Sequence, residues 1–109
     1  MKRGDLVIVS APGEYGKPRP AVIVQSDIFN ETHASIVVCL VTSDRQDAPL
    51  FRIDVQPSET TGLKMASQIM VDKIVALRRE RIDQHIGRIN DETLIRLNRS
   101  LALFIGLAT

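Results

Sequence analysis

A chain of 109 residues, 44% hydrophobic and 4% aromatic with no tryptophan, fits a single domain (1–109) built on an aliphatic core and leaves no room for a second. Its formal net charge of +1 lacks the basic excess of most nucleic-acid binders, and one cysteine excludes an intrachain disulfide or a multi-cysteine metal site. Lys2 and Arg3 precede Gly4-Asp5 and an apolar stretch too short for a signal peptide, and residues 101–108 are too few to span a membrane, so a soluble cytoplasmic protein is expected.

Residues 6–9 read as a first strand, ended by turn chemistry at Pro12-Gly13. Residues 21–24 form a second, opened by Pro18-Arg19-Pro20; proline cannot donate to a ladder, so Pro20 is expected at the strand's first residue or on an edge. Residues 36–41 are apolar without alternation, the pattern of a central strand covered on both faces, and Cys39 within them reads as a small core hydrophobe. Residues 51–56 alternate, which predicts a half-buried strand with Arg52, Asp54 and Gln56 facing water. A loop at 57–62 follows, then strands at 67–71 and near 74–77, with 84–89 a further candidate. Between Lys73 and Arg88, five Lys/Arg stand against Glu80 and Asp83; this is either a solvated face or a local basic patch.

The period then changes. Asn90 offers an N-cap, and Asp91 and Glu92 suit the positive end of a helix dipole. Leu94, Leu97, Leu101, Phe104 or Ile105, and Ala108 recur at helical spacing, with Arg96, Arg99 and Ser100 on the other side. Beyond Leu101 the helix is apolar almost all round, so it is expected to bury that end at a subunit interface. Short strands followed by one terminal helix describe a β-rich α+β fold, an antiparallel barrel or sandwich.

No metal and no cofactor is expected. His33 and His85 stand 52 positions apart without a ligand-spaced partner, neither GxxxxGK[ST] nor GxGxxG occurs, and no serine sits on a nucleophile elbow. What remains is polar residues bracketing core strands. Lys17 and Arg19 sit at the mouth of the second strand, and Thr42 and Ser43 at the end of the third. If those strands are neighbours, a guanidinium and a hydroxyl can converge on one anionic group, and the planar fork of Arg19 suits a phosphate. A solvated arginine and a turn-forming Thr-Ser pair fit the same residues.

In the ordered set Arg3-Gly4-Asp5-Leu6-Val7, Arg19-Pro20-Ala21-Val22-Ile23-Val24, Val41-Thr42-Ser43, Gly62-Leu63, Ser67-Gln68-Ile69, Arg81-Ile82 and Ile86-Gly87-Arg88-Ile89, the chain resembles the MazF/PemK family of toxin–antitoxin ribonucleases. The resemblance spans nearly the whole chain. It implies a small SH3-like antiparallel β-barrel with a C-terminal helix, assembled as a homodimer. It also implies sequence-selective cleavage of single-stranded RNA without a metal ion, by attack of a ribose 2′-OH that leaves a 2′,3′-cyclic phosphate and a 5′-OH. On that resemblance Arg19 and Thr42 are the catalytic residues, Ser43 assists at the phosphate, and Lys17, Ser67 and Gln68 line the RNA groove. The loop at 11–18 is shorter than in many relatives, with Glu14 and Tyr15 as its own candidates, Tyr15 by stacking on a base. Ser67 stands where some relatives carry an aspartate. The implied partner is a cognate antitoxin. Two alternatives are a CcdB-like gyrase-poisoning toxin, against which the missing tryptophan counts, and a barrel that has lost activity and only binds.

Overall fold

The computed structural model describes residues 1–10 and 17–108. Along them run β1 (Asp5–Val9), β2 (Arg19–Ile23), α1 (Asp27–Asn30), β3 (Ser35–Thr42), β4 (Arg52–Val55), β5 (Ser67–Arg78), β6 (Ile82–Arg88) and α2 (Asp91–Phe104), with a 3-10 turn at Arg79–Arg81. The strands make one antiparallel sheet in the order β4-β5-β3-β2-β1-β6. β3 is interior to it, as its unalternating apolar run predicts: β2 pairs on one side and β5 on the other, and Ile36, Val38, Cys39, Leu40 and Val41 are buried.

Three expectations are corrected. The strands read at 67–71 and 74–77 are one, the 12-residue β5, because a register shift opposite Cys39 and Val41 lets it run on past the irregularity. Pro20 is the second residue of β2, not the first. Its register partner on β1 is Ile8, and pairing with β3 starts at Ala21–Leu40, so the missing N–H falls outside the β2–β3 ladder. Arg52 does not face water but turns into a hydrogen-bond network described below. The short α1, capped by the Ser26 hydroxyl accepting from the Ile28 N–H, has no counterpart in the sequence reading.

Alternation along the strands sorts the core onto two faces. Leu6, Val22, Cys39, Val41, Ile69 and Val71 face one way, where α2 covers them with Leu97 and Leu101; Val7, Val9, Ala21, Ile23, Val38 and Leu40 face the other. α2 starts where its cap predicts, with Asn90 Oδ1 accepting from the Thr93 N–H at 2.8 Å. Arg3 fastens that helix to the sheet, donating from Nε to the Val24 carbonyl at 2.7 Å and from Nη1 to Asn98 Oδ1.

The fold is the small antiparallel sheet with a C-terminal helix that the sequence leads one to expect, but the sheet is not closed: its edges, β4 and β6, are not paired to each other. The loop at 57–66 spans the gap. The Arg88 N–H donates to the Thr60 carbonyl at 2.9 Å. Two glycines permit this backbone-to-backbone approach. A Cβ on Gly87 would lie 2.3 Å from the Thr60 oxygen, and one on Gly62, whose φ is +71°, 2.0 Å from the Ile86 oxygen.

Candidate functional site

Continuing the Ala21–Leu40 register by two residues, to the ends of both strands, sets Arg19 opposite Thr42. Thr42 in turn pairs with Gln68 on β5, Gln68 with Asp54 on β4, and Arg19 with Val9 on β1. One transverse row at one end of the sheet therefore reads Val9, Arg19, Thr42, Gln68, Asp54. Side chains in such a row project to the same face, with directly opposed Cα atoms about 4.5–5.5 Å apart. The register therefore sets the Arg19 and Thr42 positions side by side on one face of the sheet. Both Arg19 and Thr42 are half-buried. Thr42 Oγ1 accepts from the Asp44 N–H at 3.1 Å, which leaves its own O–H hydrogen for another acceptor.

Beside this row lies a cavity of about 450 Å³. Thr42, Ser43 and Ser67 line it, with Pro20, Leu63 and Ile86 among its apolar walls. As the last residue of β3, Thr42 belongs to both the row and the cavity border. Arg19 is not part of the lining, although its neighbour Pro20 is, and exposed Lys17 lies two positions before it. Glu14 and Tyr15 lie outside the described residues. The cavity also takes in Lys64 and Gln84, which the sequence reading did not single out. Gln84 carried a weak signal, since it stands two positions from both Ile82 and Ile86, the spacing of one strand face; Lys64 carried none.

Two expected groove residues are turned inward. Ser67 is 6% exposed and donates from Oγ to the Met65 carbonyl at 2.8 Å. Gln68, also 6% exposed, accepts at Oε1 from the Gln46 N–H at 2.9 Å and from Arg52 Nη1 at 3.2 Å. Its Nε2 donates to the Gln46 carbonyl at 3.0 Å and to Asp54 Oδ1 at 2.9 Å. The amide is committed to the protein on every side.

The remaining reactive groups stand apart. Burial pushes the Cys39 thiol up to about 12, against the opposing pull of the Arg3 charge and with a further push from Asp72, so it is no nucleophile. His33 meets Phe29 edge-on at 6.3 Å, and His85 Nε2 lies 3.5 Å from Asp5 Oδ2; neither lines the cavity. Among the described residues no group of three His, Cys, Asp or Glu side chains is placed to hold a metal ion.

Residues 2–105 match the family model described as PemK-like, MazF-like toxin of type II toxin-antitoxin system. Over 109 residues the chain is 41% identical to the "Probable endoribonuclease MazF" of Mycolicibacterium smegmatis, covering 99% of each. It is 24% identical to "Endoribonuclease EndoA" of Bacillus subtilis over 98% of this chain and 96% of that one. Among solved structures, an endoribonuclease in complex with its cognate antitoxin from a mycobacterial species superposes with a TM-score of 0.84 at 22% identity. That match covers 100% of this chain and 98% of the other, and carries the likeness of fold.

Proposed function

The chain belongs to the PemK-like, MazF-like toxins of type II toxin–antitoxin systems, and from that premise we propose that it is an endoribonuclease that cuts single-stranded RNA at short sequences without a metal ion. The reaction is attack by a ribose 2′-OH on its own phosphate, which expels the 5′-oxygen of the next nucleotide and leaves a 2′,3′-cyclic phosphate and a 5′-OH. The nucleophile comes from the substrate, so the protein must supply charge stabilisation and proton handling rather than an attacking group.

What carries this reading is the β2–β3 register, which continued two residues from Ala21–Leu40 sets Arg19 opposite Thr42, itself a lining residue of the cavity. Arg19 donates in two places to the equatorial oxygens of the phosphorane, where negative charge builds up in the transition state. Thr42 gives its free O–H hydrogen to the same phosphate, and Ser43, exposed beside it, assists. Lys17 attracts the backbone on the approach to Arg19. The largely apolar cavity offers room for an unstacked base, with Ser67 at its wall. Relatives named as endoribonucleases give no support to the gyrase-poisoning alternative.

Residues 1–109 act as one unit, a homodimer joined through the exposed apolar end of α2. No helix among the described residues is long and apolar enough to cross a membrane, and we place the protein with its RNA substrate in the cytoplasm. A cognate antitoxin holds it inactive, its flexible tail ordering on the toxin surface. The superposed mycobacterial endoribonuclease was solved in complex with its cognate antitoxin.

The test is cleavage of a varied pool of single-stranded RNA in excess EDTA. Arg19→Ala is expected to lower kcat/KM by at least about a hundredfold with an unchanged circular dichroism spectrum, and the 5′-products of the native protein to carry cyclic phosphate ends. Intact RNA across the pool, or undiminished cutting by Arg19→Ala, overturns the reading.

A further inference from the structure

We propose that Gln68 is a positioning residue that directs the Thr42 hydroxyl by pinning residues 44–46 to the paired strands β4 and β5. The inference rests on the reading of Thr42 as a phosphate donor.

The backbone of Asp44 is held at both polar atoms. Its N–H donates to Thr42 Oγ1 at 3.1 Å, and its carbonyl accepts from Arg52 Nη1 at 3.0 Å. That same nitrogen donates to Gln68 Oε1 at 3.2 Å. Two residues on, Gln46 is gripped by the Gln68 amide at two points, N–H to Oε1 at 2.9 Å and carbonyl from Nε2 at 3.0 Å, as a neighbouring strand would grip it. The remaining hydrogen on Nε2 goes to Asp54 Oδ1 at 2.9 Å. A guanidinium at one end of the amide and a carboxylate at the other allow only one orientation of it.

A side chain so fully engaged and 6% exposed has no group left to offer RNA. Its influence on the chemistry runs through the loop. While Asp44 donates to Thr42 Oγ1, that lone pair is taken and the hydroxyl hydrogen must point elsewhere. Once residues 44–46 come loose, the Asp44 N–H leaves and Thr42 regains its rotational freedom. The cost then falls on the transition state more than on substrate binding, because the hydroxyl must be aimed when charge develops on the phosphate.

Three variants test this in the full chain, with RNA cleavage measured in excess EDTA. Gln68→Leu keeps the buried volume and removes all four bonds. Gln68→Glu keeps the two accepted bonds but sets its other oxygen against both the Asp54 carboxylate and the Gln46 carbonyl, and adding Asp54→Asn gives that oxygen a donor again while the Gln46 carbonyl stays without one. Gln68→Leu is expected to lower kcat about tenfold with KM changed by less than about twofold, the effect of losing one aimed hydrogen bond. Backbone amide exchange at Asp44 and Gln46 should quicken, Gln68→Glu should lose activity, and Asp54→Asn should restore part of it. In a Thr42→Val background Gln68→Leu should cost nothing further. Exchange unchanged at Asp44 and Gln46 overturns the proposal, and so does the same kcat loss with Thr42 already replaced, which would leave the reading of Thr42 standing. Thr42→Val with undiminished kcat removes that reading and the proposal together. Should Gln68→Leu not fold, the gain that Asp54→Asn brings to Gln68→Glu decides, and no gain at all overturns the proposal.

Discussion

Cys39 and Thr42 lie on the same strand, and alternation turns them to opposite faces. Cys39 packs in the core under α2, where burial holds its thiol protonated up to about 12 against an ordinary value of 9.0. The folded chain thus keeps a proton that the unfolded chain has released. The stability this represents is fully present below pH 9.0 and is lost as pH rises toward 12. Urea unfolding between pH 9 and 11 should therefore show stability falling more steeply for the native sequence than for Cys39→Ala, by up to about 1.4 kcal/mol per pH unit. Parallel curves would refute it. Arg19 and Thr42 could be singled out in the sequence because one opens and the other closes an apolar run, a local pattern, and the family resemblance is what gives them a role. The task of Gln68 could not, since it depends on Gln46, Arg52 and Asp54, which only the paired strands bring together.

Among the elements, α2 was readable because Asn90 caps it and its leucines repeat, while β5 was misread as two strands because a register shift interrupts its alternation. The joint between the sheet edges was not readable at all. Periodicity describes strands, and here a loop covers the gap, with Gly62 and Gly87 in backbone contact across it. Those glycines can be noted in a sequence, but nothing local says what they approach. Gly87→Ala would press a methyl group against two carbonyl oxygens and push the loop off β6. It is expected to cost roughly 2–3 kcal/mol in urea unfolding and to enlarge the cavity that Leu63 and Ile86 wall. Unchanged stability would show that the loop can retreat freely.

At the scale of the molecule, the apolar end of α2 is one surface that the fold leaves uncovered among the described residues. Leu103, Phe104, Ile105 and Leu107 are 44–78% exposed, although Leu97 and Leu101 of the same helix are buried. If that end joins two copies, Phe104→Asp with Leu107→Asp should shift sedimentation equilibrium from dimer to monomer while circular dichroism is retained. A native chain that sediments as a monomer at micromolar concentration would rule the dimer out. The order of the strands has a further consequence in time. β1 is made first yet pairs with β6, Asp5 against Arg88, and the cavity takes Ile8 from the one and Gln84 and Ile86 from the other. Contacts so distant along the chain form late in folding. A growing chain whose last strand is still inside the ribosome has Arg19 and Thr42 but no finished cleft. If the cleft is the working site, a chain cut short before β6, which lacks the Gln84 and Ile86 wall, is expected to leave RNA intact where the full chain cuts it.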